Sequence, residues 1–257
     1  MRQLLDLRMI ATCSIGTDMI DLEIARELGI VGSNQPGRTA PVVAEHMFGL
    51  LFTVAKRAAF QTAEIREQRW TRRMILSVQG KTLGIVGYGN IGKATARLAR
   101  GVSMNLIAHD PHIEITDDDV RSVSLDELLK ESDFITLHVL LTPETKGMIS
   151  TAQFEMMKET AIIANACRGP VVDEAAITEA LAARKIGGAC LDVYEKEPLD
   201  ANSKLRELDN VILTPHIAYC ADEALAARFQ FFADNCQKLI DGDTPNMAVN
   251  GDDVNNS

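Results

Sequence analysis

Short apolar runs alternate with segments of helical periodicity along most of this chain. In the stretch KTLGIVGYGNIGKATARLARG, an apolar run at 82–86 is followed by glycines and then by apolar residues at helical spacing, until Gly101 ends the pattern. This order predicts a strand, a tight turn and a helix. Further strand-like runs occupy residues 105–110, 133–139, 161–166, 187–193 and 211–216.

Helical patterns lie between these runs, at 124–132, 150–158 and 173–184. Two of them open with the spacing of a capping box, Ser124 with Glu127 and Ser150 with Gln153. Strands that are apolar on both faces and alternate with helices are typical of a parallel sheet with helices on both sides. The pattern therefore predicts an α/β fold, a doubly wound parallel-sheet domain of the Rossmann type.

The glycines of GYGNIG fit the pattern G-x-G-x-x-G between a predicted strand and a predicted helix. Gly87 permits a tight turn, Gly89 lets the backbone approach a pyrophosphate, and Gly92 lets the helix pack closely on the strand. N–H groups at the helix N-terminus, including those of Asn90 and Ile91, then face the phosphates. The motif predicts a dinucleotide site. A turn that packs without a ligand and a site for a methyl-donor nucleotide are the alternatives.

An acidic residue ends the next predicted strand, at the place where such a site holds the adenosine ribose. Asp110 is expected to accept hydrogen bonds from the ribose hydroxyls and to repel a 2′-phosphate. We therefore predict NAD as the cofactor in preference to NADP.

Three polar residues follow strands further along the chain. Arg168 follows the run 161–166, Asp192 closes the run 187–193, and His216 comes after VILTP. Because ligands of open parallel sheets bind outside the carboxyl ends of the strands, we expect these side chains to line one crevice. Glu197 follows closely enough for its loop to fold back towards His216. A plainer interpretation of Arg168 is a surface charge at a strand end.

An arginine, a glutamate and a histidine beside a dinucleotide indicate hydride transfer coupled to proton transfer. The guanidinium of Arg168 is expected to hold a substrate carboxylate through two hydrogen bonds. The imidazole of His216 would exchange a proton with the substrate oxygen, while Glu197 orients and stabilises the imidazolium.

The composition restricts the partners. The chain has 257 residues, with 26 Lys+Arg against 36 Asp+Glu and a formal net charge of −10, which disfavours nucleic acid and anionic membranes as partners. No apolar run approaches the roughly 20 residues of a membrane span and no signal peptide is recognisable, so we expect a cytoplasmic protein. The five cysteines have no C-x-x-C spacing or matching histidine cluster, so neither zinc, any other metal nor a disulfide framework is predicted.

These motifs resemble those of the D-isomer-specific 2-hydroxyacid dehydrogenase family. The resemblance runs from MIATCSIGTDMIDLEIARELGI through PVVAEHMFGLL, GKTLGIVGYGNIG, LTPETKGMI, NACRGPVVDEAAITEAL and LDVYEKEPL to TPHIA. It implies that Arg168, Glu197 and His216 are catalytic residues of a NAD-dependent oxidoreductase that interconverts a short D-2-hydroxy acid and its 2-keto acid. Glyoxylate-, hydroxypyruvate- and glycerate-like substrates are favoured.

The resemblance also implies further ligand contacts. Ala166, Cys167 and Asp192 are expected near the nicotinamide carboxamide. The amides of Ile15 and Gly16 are expected to help hold the substrate carboxylate.

Two features depart from the family pattern. Leu140 stands where the H-x-P-L-T loop usually has proline, which should alter the stiffness of the loop more than its chemistry. Family members carry a flavodoxin-like set of strands and helices before the strand LRMIAT, whereas this sequence begins only a few residues earlier. We therefore expect an incomplete flavodoxin-like substrate lobe at residues 1–38, a NAD-binding domain at 39–217, and a C-terminal helix returning to the lobe within 218–257.

Two histidines have structural interpretations. His46, on a predicted helix, is interpreted as a packed structural histidine. His138 ends a predicted strand and either lines the cofactor cleft or makes a structural hydrogen bond. The helical stretch 42–69 contributes to a dimer in relatives, so a homodimer is expected.

Two functions other than catalysis fit the same sequence. One is an NAD(H)-binding regulatory module of this fold, in which the cofactor sets the assembly state. The other is a catalytically inactive, shortened homologue.

Overall fold

The computed structural model describes residues 1, 3, 6–12, 16, 20–35, 39–243 and 245. The chain divides into two compact units, one formed by Met1–Val42 with Tyr219–Ser257 and the other by Val43–Ala218. The boundaries expected from the sequence stay predictions.

In chain order the helices and strands are β1 (Met9–Ala11), α1 (Leu22–Glu27), β2 (Val31–Ser33), α2 (Ala40–Ala55), α3 (Ala58–Arg66), β3 (Thr82–Val86), α4 (Asn90–Gly101), β4 (Asn105–His109), β5 (Val120–Ser122), α5 (Leu125–Glu131), β6 (Phe134–Leu137), α6 (Thr151–Met156), β7 (Ile162–Asn165), α7 (Glu174–Ala182), β8 (Gly188–Leu191), β9 (Val211–Leu213) and α8 (Asp222–Asp241). Single turns of 3₁₀ helix lie at Gly169–Val171 and Lys204–Glu207.

The larger unit is built on one parallel sheet, which within the described residues has seven strands in the order β5-β4-β3-β6-β7-β8-β9. The chain winds outwards from β3 through β4 to β5 and then returns to β6 on the other side of β3. This reversal creates a crevice at the carboxyl ends of β3 and β6, where sheets of this kind bind ligands. The doubly wound parallel sheet predicted from the sequence is confirmed.

The central strands of the sheet are apolar on both faces and are buried on both faces. Every residue of β6, β7 and β8 is buried, because helices cover the sheet on both sides. Strand β5 was not predicted from the sequence. It has only three residues, Val120–Ser122, of which only the first is buried, so it lacks the long apolar run that marks the inner strands.

Helix starts in this unit follow the capping residues. The Ser124 side chain accepts a hydrogen bond from the N–H of Glu127 at the start of α5, over 3.2 Å. Ser150 and Gln153 form the reciprocal capping box of α6. Asp173 caps α7 by accepting from the N–H of Ala176 at 2.9 Å. Each cap satisfies N–H groups that the first turn of a helix leaves unpaired.

The helical stretch expected at 42–69 is two helices. Helix α2 ends at Ala55, and α3 begins at Ala58 after Arg57, whose φ of 50° places it in the left-handed region. An L-residue in that conformation cannot continue a right-handed helix, so the chain changes direction there.

The smaller unit combines the N-terminal residues with the C-terminal helix. Strands β1 and β2 pair in parallel, and Ile20, Ala25 and Ile30 are buried together beside them. Helix α8 is bonded to this layer, because Asn235 Nδ2 donates to Ser33 Oγ at 2.8 Å. None of the described helices has both the length and the apolarity that crossing a bilayer requires.

Candidate active site

The glycine turn after β3 has the backbone geometry that its sequence predicts. Gly87 has a φ of +92°, a conformation that L side chains rarely adopt, and a Cβ there would lie 2.6 Å from the carbonyl oxygen of His138. A Cβ at Gly92 would lie 2.2 Å from the carbonyl oxygen of Gly87, so the turn and the first turn of α4 are packed backbone to backbone. Larger residues at either position would push α4 away from the sheet.

Gly89 faces open space. A Cβ built there meets only Ile113 Cδ1, at 4.0 Å, whereas the other two glycines of the motif are crowded. Gly89 is also the N-cap of α4 and has no side chain to occupy the N–H groups of the first turn, which includes Asn90 and Ile91. Open space at a bare helix N-terminus fits the pyrophosphate of a dinucleotide.

Asp110 ties the end of β4 to this turn. One carboxylate oxygen accepts the N–H of Tyr88 at 2.7 Å, and the other accepts those of His112 and Ile113 at 2.9 and 3.1 Å. The side chain therefore stands beside the glycine turn, and the bonds fix its orientation. The oxygen that accepts from Tyr88 has a second acceptor site, so these bonds leave room there for a ribose hydroxyl.

The loop after β7 is organised by Asn165, an uncharged residue that was not predicted to belong to the site. Its Oδ1 accepts the N–H of Cys167 at 3.0 Å and its Nδ2 donates to the carbonyl of Arg168 at 2.9 Å. Asn165 is the first residue of the run NACRGPVVDEAAITEAL, which carries part of the family resemblance, so the sequence did contain the signal. Burial raises the pKa of the Cys167 thiol to about 11, which fits a packing role rather than a nucleophile.

Arg168 lies where this loop meets the loop after β8. Its Nη1 donates to the carbonyl of Cys167 at 2.8 Å. A Cβ on the next residue, Gly169, would lie 1.9 Å from the carbonyl oxygen of Tyr194, so only glycine permits this approach. The close approach brings the Arg168 loop against the segment that leads to Glu197.

Glu197 and His216 are in direct contact. Nδ1 of His216 lies 2.8 Å from Oε2 of Glu197, and Oε1 of Glu197 accepts the N–H of Tyr194 at 3.1 Å. Both side chains are partly exposed, and the ring nitrogen Nε2 is the one not engaged with Glu197. The arrangement suits an imidazole that exchanges a proton through Nε2 while a carboxylate fixes its tautomer.

The backbone of His216 is held in an unusual conformation. Its φ is 54°, in the left-handed region, and its N–H donates to the carbonyl of Asp192 at 2.7 Å. Non-glycine residues in this region cost free energy and persist where surrounding bonds impose them.

Asp192 supplies those bonds from the end of β8. Its fully buried carboxylate accepts the N–H of Ile217 at 3.0 Å, the N–H of Ala218 at 2.9 Å and the hydroxyl of Thr214 at 2.6 Å. Burial acts to raise the pKa of Asp192, but hydrogen bonds from His46, from Thr214 and from the two backbone N–H groups outweigh it, and the pKa lies below its ordinary value. Asp192 is therefore a carboxylate that shapes the His216 loop.

His138 directly follows β6 beside the glycine turn, and its ring makes structural hydrogen bonds. Nε2 lies 2.9 Å from the hydroxyl of Thr136 and 3.1 Å from that of Thr95. Burial lowers the pKa of the ring to about 3, so the ring is neutral. In the loop that follows, Thr145 donates its hydroxyl to the carbonyl of Leu140 at 2.6 Å, which braces the loop where proline was expected.

Other predicted residues lie elsewhere. Ile15 is outside the described residues, and Gly16 belongs to the smaller unit. Ala166 lies directly after β7, two residues before Arg168, and its contact with the nicotinamide stays a prediction. Among the described residues, no group of three or more His, Cys, Asp or Glu side chains is placed to hold a metal ion.

The doubly wound sheet and its open glycine turn define a dinucleotide-binding domain of the α/β class. Residues 48–218 match the family model described as "D-isomer specific 2-hydroxyacid dehydrogenase, NAD binding domain". The chain belongs to this family, as its motifs suggested, and the matched region is an NAD-binding domain.

Named relatives agree with this assignment. The chain is 43% identical over 223 residues to a hydroxypyruvate reductase of Thermotoga maritima, an alignment covering 85% of this chain and 73% of that protein. It is 38% identical over 250 residues to a D-3-phosphoglycerate dehydrogenase of Archaeoglobus fulgidus, covering 95% of this chain but only 47% of that protein. The chain thus spans about half the length of some curated relatives.

A solved structure shares the fold. The D-lactate dehydrogenase of Aquifex aeolicus, complexed with NAD and lactic acid, superimposes with a TM-score of 0.87 at 33% identity. The superposition covers 92% of this chain and 77% of that one.

Proposed function

We propose that this protein catalyses the NAD-dependent interconversion of a short D-2-hydroxy acid and its 2-keto acid. The observation that carries the proposal is the 2.8 Å contact between His216 Nδ1 and Glu197 Oε2. It lies at the carboxyl edge of the same parallel sheet that bears the open glycine turn, so an acid–base pair and a dinucleotide would meet at one crevice.

Each residue of the crevice then has one task. When bound, the nicotinamide supplies or accepts the hydride. Arg168 binds the substrate carboxylate through two N–H groups and so orients its C2 atom. In the direction of reduction, protonated His216 donates the Nε2 proton to the keto oxygen. Glu197 accepts from Nδ1 throughout, which holds the ring in place and stabilises its positive charge.

The cofactor site is expected to discriminate through charge. The N–H groups of Asn90 and Ile91 at the start of α4 would hold the pyrophosphate, and Asp110 would bind the ribose hydroxyls. The segment 166–167 would contact the nicotinamide carboxamide, and Ile15 with Gly16 the substrate carboxylate. Asp192, expected from the family resemblance to approach the carboxamide, is fully buried and bonded to Thr214, Ile217 and Ala218, so it would act by holding the His216 loop.

Glyoxylate and hydroxypyruvate are the substrates that we favour. A named relative at 43% identity is a hydroxypyruvate reductase, and another at 40% identity is a glyoxylate reductase of Korarchaeum cryptofilum. Both substrates are short 2-keto acids, which Arg168 and His216 can engage through groups that all 2-keto acids share.

We also propose that the protein is a homodimer. Trp70 is 78% exposed and Met74 is 90% exposed in the segment between α3 and β3, close to Ile75 and Leu76. Large apolar side chains clustered on a surface are typical of an interface.

The activity is tested by following NADH oxidation with glyoxylate, hydroxypyruvate, pyruvate and 2-ketoglutarate, together with a fluorescence titration of NADH binding. Turnover of at least one keto acid, lost in His216→Gln while NADH still binds, is the expected result. Tight NADH binding without turnover of any of the four would contradict the proposal and point to a regulatory module. Failure to bind NADH would indicate an inactive homologue.

A further inference from the structure

His46 makes a contact that a merely packed histidine does not require. Its Nε2 lies 3.3 Å from the hydroxyl oxygen of Thr214 and 3.5 Å from Oδ1 of the buried Asp192. His46 lies in the middle of α2, whereas Thr214 and Asp192 follow strands at the carboxyl edge of the sheet. The ring therefore connects a helix to the edge that bears the proposed catalytic pair.

The hydrogen bonds fix which ring nitrogen carries a proton. The hydroxyl of Thr214 donates its only proton to Asp192 at 2.6 Å, so towards His46 the same oxygen can only accept. Nε2 of His46 must then be the donor. Its N–H points at two oxygen atoms, one of which belongs to a carboxylate that is fully withdrawn from solvent.

The bonds continue from Asp192 to His216. The same carboxylate accepts the N–H groups of Ile217 and Ala218, and the Asp192 carbonyl accepts that of His216. These bonds hold His216 at its φ of 54° and so aim its ring at Glu197. A buried carboxylate without all its donors would rotate or take up water, and the loop would lose its shape.

We propose that His46 is a positioning residue for His216, acting through Thr214 and Asp192. It touches no reacting atom; by donating to this pair it keeps the Asp192 carboxylate turned towards the backbone of the His216 loop. This inference rests on the proposed function, because it assigns His46 a part in the proton transfer of that reaction. It also replaces the structural interpretation that the sequence alone favoured.

The kinetic test compares two variants at position 46. His46→Leu removes the donor and keeps much of the volume, whereas His46→Gln keeps an N–H donor. We expect kcat for the keto acid to fall about tenfold or more in His46→Leu, with little change in the dissociation constant of NADH, because misplacement of the acid affects the transition state most. His46→Gln should recover most of the loss. Glu45→Gln, an exposed neighbour on α2, is the matched control and should behave as the wild type.

A double-variant cycle tests whether the side chains of His46 and Thr214 act together on kcat. Thr214→Val removes the hydroxyl at nearly constant volume, and Thr214→Ser keeps it. If the two side chains act as one unit, the losses in His46→Leu and Thr214→Val are not additive in the double variant. Thr214→Val also keeps the inference testable if His46→Leu does not fold, which thermal unfolding would reveal.

A spectroscopic arm separates this inference from the proposed function. With ¹³Cε1-labelled histidine the five rings give separate signals, and His216→Gln assigns that of His216. His46→Leu should shift the His216 signal, and Glu45→Gln should not. If the wild type turned over no keto acid, the proposed function would fail and this shift alone would decide the role of His46. An unshifted His216 signal, a kcat within about twofold of the wild type in folded His46→Leu, or equal losses in the Leu and Gln variants would overturn the inference.

Discussion

At the scale of single residues, the ability of the planar Arg168 guanidinium to form two hydrogen bonds to one carboxylate can be tested directly. A guanidinium binds a carboxylate through two parallel N–H bonds, which an ammonium group cannot reproduce. Arg168→Lys keeps the charge, so we expect kcat/KM for the keto acid to fall about tenfold or more while the NADH dissociation constant barely moves. Steady-state kinetics and a fluorescence titration measure the two quantities. Arg184→Lys, an exposed arginine paired with Asp209, is the control; unchanged turnover in Arg168→Lys would remove Arg168 from the site.

The partly buried ring of His138 makes stability depend on pH. Burial lowers its pKa to about 3 from an ordinary 6.5. Below pH 6.5 the unfolded chain protonates this ring, whereas the folded ring stays neutral until about pH 3. The contribution of this neutral ring to the free energy of unfolding is therefore fully present above pH 6.5. It is lost as the pH falls from 6.5 to about 3, by up to about 1.4 kcal/mol per pH unit.

His138→Gln should remove that contribution. We expect its thermal midpoint to fall less steeply than that of the wild type between pH 6.5 and pH 4.5, as followed by circular dichroism. His112→Gln, at an exposed position, should keep the wild-type slope. Equal slopes in wild type and His138→Gln would show that the pKa of this ring is the same in the folded and unfolded states.

The candidate site residues that could be predicted from the sequence are those whose side-chain type indicates a chemical role. Arg168, Glu197 and His216 could be named because charged groups after apolar strands are conspicuous and their motifs are specific. The bonds that run from His46 through Thr214 to Asp192 could not, because they join side chains that lie far apart in the sequence and share no motif. Only the packing of α2 against the strand ends brings them together.

At the scale of elements, Asp110 joins the end of β4 to the turn between β3 and α4. Asp110→Ala should weaken NADH binding and reduce the preference for NADH over NADPH, because the ribose acceptor and the negative charge are both lost. Part of the weakening arises from the turn itself, since the N–H of Tyr88 also loses its acceptor. Asp110→Asn keeps a side-chain acceptor and separates the two effects. A cofactor ratio that does not change in Asp110→Ala would contradict the ribose assignment.

Strands and helices could be predicted where the apolar run was long or a capping residue marked the start of the helix. Strands β3, β6, β7 and β8 are apolar on both faces, and α6 and α7 begin at the caps that their sequences supply. Strand β5 was missed because three residues at a sheet edge carry almost no pattern. The break between α2 and α3 was not predicted because it depends on the left-handed backbone conformation of Arg57. No glycine or proline at this position indicates it in the sequence.

At the scale of the whole molecule, the order of strands and helices could be predicted from apolar patterns, but assembly depends on exposed surface, which a one-dimensional pattern does not reveal. Trp70 and Met74 were not singled out from the sequence, because a tryptophan and a methionine outside any periodic segment look the same whether they are buried or exposed. Their exposure in the described structure identifies the segment between α3 and β3 as the surface to test.

Replacing both apolar residues of this segment should therefore dissociate the proposed homodimer. We expect Trp70→Ser with Met74→Ser to shift the molar mass in sedimentation equilibrium towards 28.1 kDa, because the interface would lose its largest apolar contacts. Phe229→Ser is the matched control, since Phe229 is an exposed aromatic residue on α8, in the smaller unit, and its replacement should leave the mass unchanged. A dimer that persists in the double variant, or dissociates in Phe229→Ser, would place the interface elsewhere. If the NADH dissociation constant of the monomeric variant equals that of the wild type, cofactor binding does not depend on assembly, which would also argue against a module in which the cofactor sets the assembly state.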